Sequence, residues 1–194
     1  MSDVERFEHR GPSVREITLA ESRLGQVWNV RGNPAQRSFV SEAERALGLP
    51  LPLQSNTSAR ADDSALLWLG PTSWLLIAGP GSLRDDFDMA RRALNAAGGA
   101  LFDVSASYVA WRVSGAAAGR VLNRSCPLDL HPRAFPTGRC AQSMLGHINA
   151  LFYKPWERSE FIVMVARSFS ADAWRDLCAS AASEGYRLPP AAPM

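Results

Sequence analysis

The order of predicted secondary-structure elements repeats once along the chain, and this repetition limits the possible folds more than any other feature. In each half a strand leads into a helix, two further strands form a hairpin, and a helix closes the unit. Corresponding elements lie roughly 80 to 90 residues apart. The repetition predicts an α+β fold of two small α/β subdomains with mostly antiparallel sheets. The alternative is two unrelated units that share a common supersecondary pattern.

The repeat divides the chain into four segments. The first subdomain is predicted over residues 15–99 and the second over residues 100–188. Residues 1–14 are polar and without periodicity, and residues 189–194 are rich in proline, so both segments are predicted to be flexible. Because the two units use almost all of the 194 residues, no length remains for a separate cofactor-binding domain.

Helix boundaries are predicted from capping and breaking residues. Pro34 suits a first helical turn, and Gly48 suits the residue after the last turn. Ser82 is a candidate N-cap for a helix that ends at Gly98. Ser170 is predicted to cap the last helix.

Alternating apolar residues predict two hairpins. Residues 65–69 and 73–78 are the arms of the first, around a Gly-Pro-Thr turn. Residues 144–154 and 161–166 are predicted as the arms of the second. The polar stretch 56–64 is predicted to be a loop.

The charge balance argues against nucleic acid as a partner. The formal net charge is +2, and the basic residues are twenty Arg and one Lys without a basic run. Scattered arginine favours ion pairs or a protein partner over a phosphate track. The N-terminus lacks an apolar signal region, and the longest apolar run, residues 74–78, is too short to span a membrane. A soluble, cytoplasmic and reduced protein is expected.

Cysteine and histidine are the first candidates for chemistry. Cys126, His131 and Cys140 are close enough in sequence for a metal site, but their spacing matches no established ligand pattern. We therefore favour a local backbone hydrogen bond as the role of His131. Cys140 follows an arginine and is a candidate reactive thiol, although cysteine is more often buried and inert. Cys178 belongs to the predicted inner face of the last helix.

The remaining candidates are weaker. Asp103 and Asp129 are the only acid–base candidates in the second half, and a loop-orienting hydrogen bond to Ser105 is the favoured role of Asp103. The Gly79–Gly81 stretch precedes a helix but lacks the residues of a phosphate loop, so a helix start is favoured. Trp28, Trp68, Trp74 and Trp111 lie in predicted strands and are expected in the core. Trp156 is a candidate interface anchor in a hairpin loop.

Several sequence strings resemble known families. Phe102–Ser105, Trp111–Gly115 and Ala118–Leu122 resemble the central signature of the aminomethyltransferase (T-protein) folate-binding fold. Five strings in order resemble the gamma subunit of heterotetrameric sarcosine oxidase more closely, and together they cover most of the chain: Leu67–Leu76, Asp103–Ser105, Cys126–Pro132, Phe135–Cys140 and Arg167–Phe169.

The resemblance implies an accessory role. It implies a cytoplasmic complex with alpha, beta and delta subunits that oxidatively demethylates sarcosine to glycine, with hydrogen peroxide and formaldehyde or 5,10-methylenetetrahydrofolate as products. It further implies that FAD, FMN, NAD, zinc and tetrahydrofolate belong to the other subunits, and that this chain holds no cofactor, metal or catalytic residue. The fold implied is that of the aminomethyltransferase folate-binding domain.

One position supports the non-catalytic interpretation. Aminomethyltransferases carry an Asp-Asp pair where this sequence has Asn149 and Ala150, and neither residue is an acid or a base. The alternative function is a stand-alone folate-binding protein of the aminomethyltransferase or iron–sulfur maintenance type.

Overall fold

The computed structural model of the chain describes residues 17–79, 86–155 and 159–188. The helices are α1 (Arg37–Leu47), α2 (Phe87–Ala96), α3 (Ala118–Leu122) and α4 (Ser170–Ala181). The strands are β1 (Ile17–Ser22), β2 (Gln26–Arg31), β3 (Ser58–Ala61), β4 (Ser64–Gly70), β5 (Ser73–Ala78), β6 (Ala100–Asp103), β7 (Tyr108–Ser114), β8 (Cys140–Leu145), β9 (Ile148–Tyr153), β10 (Glu160–Ala166) and β11 (Tyr186–Arg187).

The strands form two sheets that share one strand order. Sheet I has the order β8-β9-β10-β7-β1-β11, and sheet II has the order β3-β4-β5-β2-β6. All pairings are antiparallel except that of β1 with β11. Five strands of sheet I therefore repeat the whole of sheet II, which confirms the repetition and the mostly antiparallel α+β class predicted from the sequence.

Each half of the chain donates its first strand to the sheet of the other half. β1 pairs with β7 in sheet I, whereas β2, which follows it directly, lies in sheet II. In the same way β6 pairs with β2 in sheet II, whereas β7 lies in sheet I. The predicted units 15–99 and 100–188 therefore do not coincide with the two sheets. Strand pairing between distant segments is not visible in local periodicity, which explains the difference.

The sheets pack face to face, and the helices cover their outer faces. One cluster of buried side chains from both sheets fills the space between them, including Val27, Leu67, Leu75, Leu151 and Met164. A second cluster joins sheet I to α3 and α4, and a third joins sheet II to α1 and α2. The fold therefore has four layers, in which two sheets lie between two layers of helices. This arrangement is stable because many strands carry apolar side chains on both of their faces.

Local sequence explains the first helix and the first hairpin. α1 ends at Gly48, which adopts the left-handed conformation (φ 65°) and donates its N–H to the carbonyl of Glu44. The extended segment that follows is held by Trp74, whose indole Nε1 donates to the carbonyl of Pro52 at 2.7 Å. β4 and β5 form the predicted hairpin.

One predicted loop and one predicted hairpin arm are wrong. The stretch 56–64 contains β3, a short edge strand of small and polar residues that lacks apolar alternation and is held by pairing with β4. Residues 144–154 are not one arm, because the chain reverses after Leu145 and β8 pairs with β9. Gly146 supplies the positive φ of 58° at this turn. A single glycine among apolar residues is a weak turn signal.

A helix lies within the range predicted from Ser82 to Gly98. Ser82 lies outside the described residues, and α2 is described from Phe87 to Ala96. The capping role predicted for Ser170 is wrong, because Ser170 is the first helical residue of α4, Phe169 is the N-cap residue, and no side chain caps the first turn.

Hydrogen bonds join the connection between β6 and β7 to strand β2, and one of them involves the hydroxyl of a serine. Val104 donates its N–H to the carbonyl of Val27 at 2.9 Å, and Val27 donates its own N–H to Ser105 Oγ at 2.9 Å. Asp103 Oδ1 accepts the backbone N–H of Ser105 at 2.9 Å and its hydroxyl at 2.6 Å. The segment Asp103–Ser105 therefore anchors the connection between β6 and β7 at the point where the chain passes from one sheet to the other.

We expect Ser105→Ala to lower the free energy of unfolding by about 1–2 kcal/mol, because the Val27 N–H would lose its acceptor. Ser107→Ala is the matched control, since Ser107 is exposed and lies in the same 3₁₀ turn. Urea unfolding of the chain measures both variants. Equal stability of the two variants would contradict the assigned role of the serine.

Gly32→Ala is expected to destabilise the outer layer of sheet II by about 1–3 kcal/mol. A β-carbon on Gly32 would lie 2.2 Å from the ring of Phe39, which is fully buried and packs on Trp74. Gly70→Ala is the matched control, because no heavy atom lies within 4 Å of a β-carbon there. Thermal unfolding followed by near-ultraviolet circular dichroism reports both changes; a Gly32→Ala midpoint equal to that of the control would refute the packing argument.

Candidate functional site

A cleft of about 480 Å³ opens at the end of the sandwich where the two sheets separate. Its floor is the inner face of β8, β9 and β10, and its wall comes from β4 and β5. The lining residues are Leu69, Leu75, Tyr108, Gln142, Ser143, Met144, Asn149, Ala150, Leu151, Met164, Val165 and Ala166. We call this the inter-sheet cleft.

The inter-sheet cleft is lined by neutral groups. Gln142 Nε2 donates to the carbonyl of Leu69 at 2.8 Å and so joins the two walls. Asn149 is exposed on β9, while Ala150 is buried in the cluster on the opposite face of sheet I. Among the described lining residues the phenol of Tyr108 is the only ionisable side chain. These lining residues include no Asp, Glu, His, Lys or Arg.

The cysteines are buried or half-buried and do not converge on histidine. Cys140 is fully buried, and its thiol donates towards the carbonyls of Thr57 and Trp68 at 3.3 and 3.5 Å. Burial raises the pKa of Cys140 to about 11, so the thiol is protonated at neutral pH and is not an activated nucleophile. Burial also raises the pKa of Cys126 and of Cys178. Residues 17–79, 86–155 and 159–188 contain no group of three or more His, Cys, Asp or Glu side chains placed to hold a metal ion.

The charged candidates of the sequence act on nearby backbone. His131 is exposed, and its Nδ1 accepts the N–H of Arg133 at 3.2 Å, which confirms the local role predicted for it. Asp129 accepts the N–H of His131 at 2.9 Å. Asp103 is exposed, and it orients the turn through Ser105 as predicted. These aspartates are therefore loop-forming residues.

The tryptophans that were predicted in the core are buried or half-buried. Trp28 and Trp74 are fully buried and Trp111 is nearly so, as the strand pattern predicts. Trp68 is half-buried and packs against the helix side of sheet II. Trp156 lies outside the described residues, as do Pro80 and Gly81 of the candidate anion loop.

The sequence did not single out Lys154 as a structural residue. The side chain is 4 % exposed, and Nζ donates to the carbonyl of Phe135 at 3.2 Å and lies 5.6 Å from the centroid of the Phe161 ring. Burial lowers its pKa. The available signal was its position as the one lysine of the chain, directly after the apolar run of β9.

A second cleft, of about 340 Å³, lies beside the connections between the sheets. Glu21, Arg23, Ser105, Tyr108 and Arg167 line it together with apolar and backbone groups. We call it the arginine cleft. Arg167 spans the turn that leads into β7, because its Nε donates to the carbonyl of Ala106 at 2.7 Å and its Nη2 to that of Tyr108 at 3.0 Å. No described helix is long and apolar enough to cross a membrane.

The chain is similar in sequence to known sarcosine oxidase gamma subunits. The profile of the sarcosine oxidase gamma subunit family matches residues 31–183. The sarcosine oxidase subunit gamma of an Arthrobacter species is 35 % identical over 155 residues, which are 79 % of this chain and 75 % of that protein. The corresponding subunit of Corynebacterium strain P-1 is 34 % identical over 158 residues, with the same shares covered.

Solved structures give the same result. The heterotetrameric sarcosine oxidase from Corynebacterium sp. U-96, in complex with pyrrole 2-carboxylate, contains a chain with a TM-score of 0.79 at 29 % identity, covering 92 % of this chain and 87 % of that one. Aminomethyltransferase T of the glycine cleavage system from Bartonella henselae has a TM-score of 0.64 at 15 % identity, covering 89 % of this chain and 47 % of that one, which shows a shared fold. The chain belongs to the sarcosine oxidase gamma subunit family.

Proposed function

We propose that this chain is a non-catalytic, structural subunit that assembles with the alpha, beta and delta subunits of a sarcosine oxidase. The observation that carries the proposal is its similarity, over nearly its whole length, to a chain of the heterotetrameric enzyme. The assembled enzyme would oxidatively demethylate sarcosine to glycine in the cytoplasm, with hydrogen peroxide as the reduced product of oxygen.

The neutral inter-sheet cleft supports the non-catalytic part of the proposal. Asn149 lines it where aminomethyltransferases carry a carboxylate, and an amide neither gives nor takes a proton at neutral pH. A shared fold does not by itself imply shared chemistry. FAD, FMN, NAD, zinc and tetrahydrofolate are proposed to be held by the other subunits.

Assembly is the first test. Co-expression of this chain with sarcosine oxidase alpha, beta and delta chains from the same organism should give one complex that contains all four in equal amounts by size-exclusion chromatography and native mass spectrometry. A chain that elutes alone in the presence of the other three would contradict the proposed function. Expression of those three chains without this one is the control for a stable subcomplex.

Activity is the second test. The isolated chain should show no flavin absorbance and no sarcosine-dependent hydrogen peroxide production. In the complex, Asn149→Ala should change kcat for sarcosine by less than about two-fold, because the amide takes no part in proton transfer. Calorimetric titration of the isolated chain with tetrahydrofolate separates this proposal from the folate-binding alternative. Tight binding there, or a large loss of kcat in the variant, would favour a direct role in one-carbon transfer.

A further inference from the structure

The arginine cleft holds more positive charge than its own carboxylate can neutralise. Arg23 is exposed and forms no hydrogen bond or ion pair with any described residue. Arg167 bonds to two neutral carbonyl groups and to no carboxylate of the described chain. Glu21 is the one acidic side chain among the described lining residues, and it is ion-paired with neither arginine. Two guanidinium groups therefore face a cleft that contains one carboxylate.

Hydrogen bonds within this chain fix the orientation of the Arg167 side chain. Its Nε and Nη2 donate to carbonyls on both sides of Ser107, so the edge of the guanidinium nearest the main chain is occupied. The opposite edge, formed by Nη1 and the second hydrogen of Nη2, donates to no described group. That edge matches the spacing of the two oxygens of a carboxylate, and a guanidinium already held in place loses little entropy on binding one.

We propose that the arginine cleft receives a carboxylate side chain from a loop of another subunit of the sarcosine oxidase complex. Arg167 binds the carboxylate through its free edge, and Arg23 is the second cation at the rim. This inference rests on the proposed function, because it requires that the chain assembles with partners.

An exposed aromatic residue favours a protein loop over a free small acid. Phe169 is 48 % exposed and lies two residues after Arg167 in the same 3₁₀ turn. A small carboxylate in the cleft would leave this ring in water, whereas a loop that carries the carboxylate has enough surface to cover both. Arginine and aromatic residues, Phe included, are both enriched in protein interfaces.

Hydrogen exchange of the assembled complex tests the location directly. Residues 21–25, 105–110 and 167–169 should exchange more slowly in the complex than in the isolated chain. A complex that forms without protection of these segments overturns the inference and leaves the proposed function intact. Failure to form any complex overturns both.

Charge variants test the chemistry. Arg23→Glu should weaken the association of this chain with the other three by about ten-fold or more, and the difference from wild type should shrink as salt is added. Arg167→Lys keeps the charge but loses the two-pronged geometry, and it should weaken association by about ten-fold. Arg92→Glu, an exposed arginine on α2 without a described partner, is the matched control and should change association by less than about two-fold.

Two further results would overturn the inference. Arg23→Glu and Arg167→Lys could both behave as the Arg92→Glu control does. Alternatively, glycine or acetate alone could protect the same segments of the isolated chain, which would assign the cleft to a small carboxylate. Melting curves of the isolated variants check folding. If Arg167→Lys is unfolded, Arg23→Glu decides the outcome, because its side chain supports no described contact.

Discussion

The exchange of first strands between the two halves is the constraint on which the rest of the structure depends. Sheet II receives β6, whose Leu101 enters the cluster under α1 and α2, and sheet I receives β1, whose Ile17 and Leu19 enter the cluster under α3 and α4. Each half therefore contributes one strand to the hydrophobic core of the sheet that the other half mainly forms. Neither half has a full set of buried strands without the other, so the two units form a single cooperative structure.

The exchange also determines where the clefts lie. Both connections between the sheets pass one end of the sandwich, where Val27, Val104 and Ser105 are joined by hydrogen bonds. The arginine cleft is formed by these connections, and Tyr108, the first residue of β7, lines both clefts. The cluster between the sheets is apolar, so the inter-sheet cleft that continues it is also mostly apolar and neutral.

Local sequence predicted those features that depend on local physics. The end of α1 could be predicted because Gly48 adopts a left-handed conformation that other residues avoid. Its start could not, because Pro34 lies in the turn before Arg37, the first residue of the helix. Trp28 and Trp74 could be placed in the core because they lie in strands rich in apolar residues. β3 could not be found, because an edge strand of Ser, Ala and Arg is stabilised by its partner β4 and not by its own side chains. The exchange of β1 and β6 was likewise hidden, since pairing between strands that are far apart in sequence leaves no periodic signal. The arginine cleft was missed for the same reason, because Arg23 and Arg167 are brought together by the fold.

The use of arginine in this chain follows from the same architecture. Segments that are distant in sequence are joined by guanidinium groups that donate to backbone carbonyls: Arg124 to Ser180, Arg139 to Ser55, and Arg167 to Ala106 and Tyr108. A planar fork with five donors can hold a carbonyl on one edge and still present a charged edge to solvent, whereas an ammonium group has no such second edge. The one lysine, Lys154, is instead buried, where a compact cation over the Phe161 ring fits. These guanidinium groups are held in place by backbone carbonyls and keep further N–H groups that donate to no described residue. Such N–H groups suit a subunit that is proposed to bind other chains.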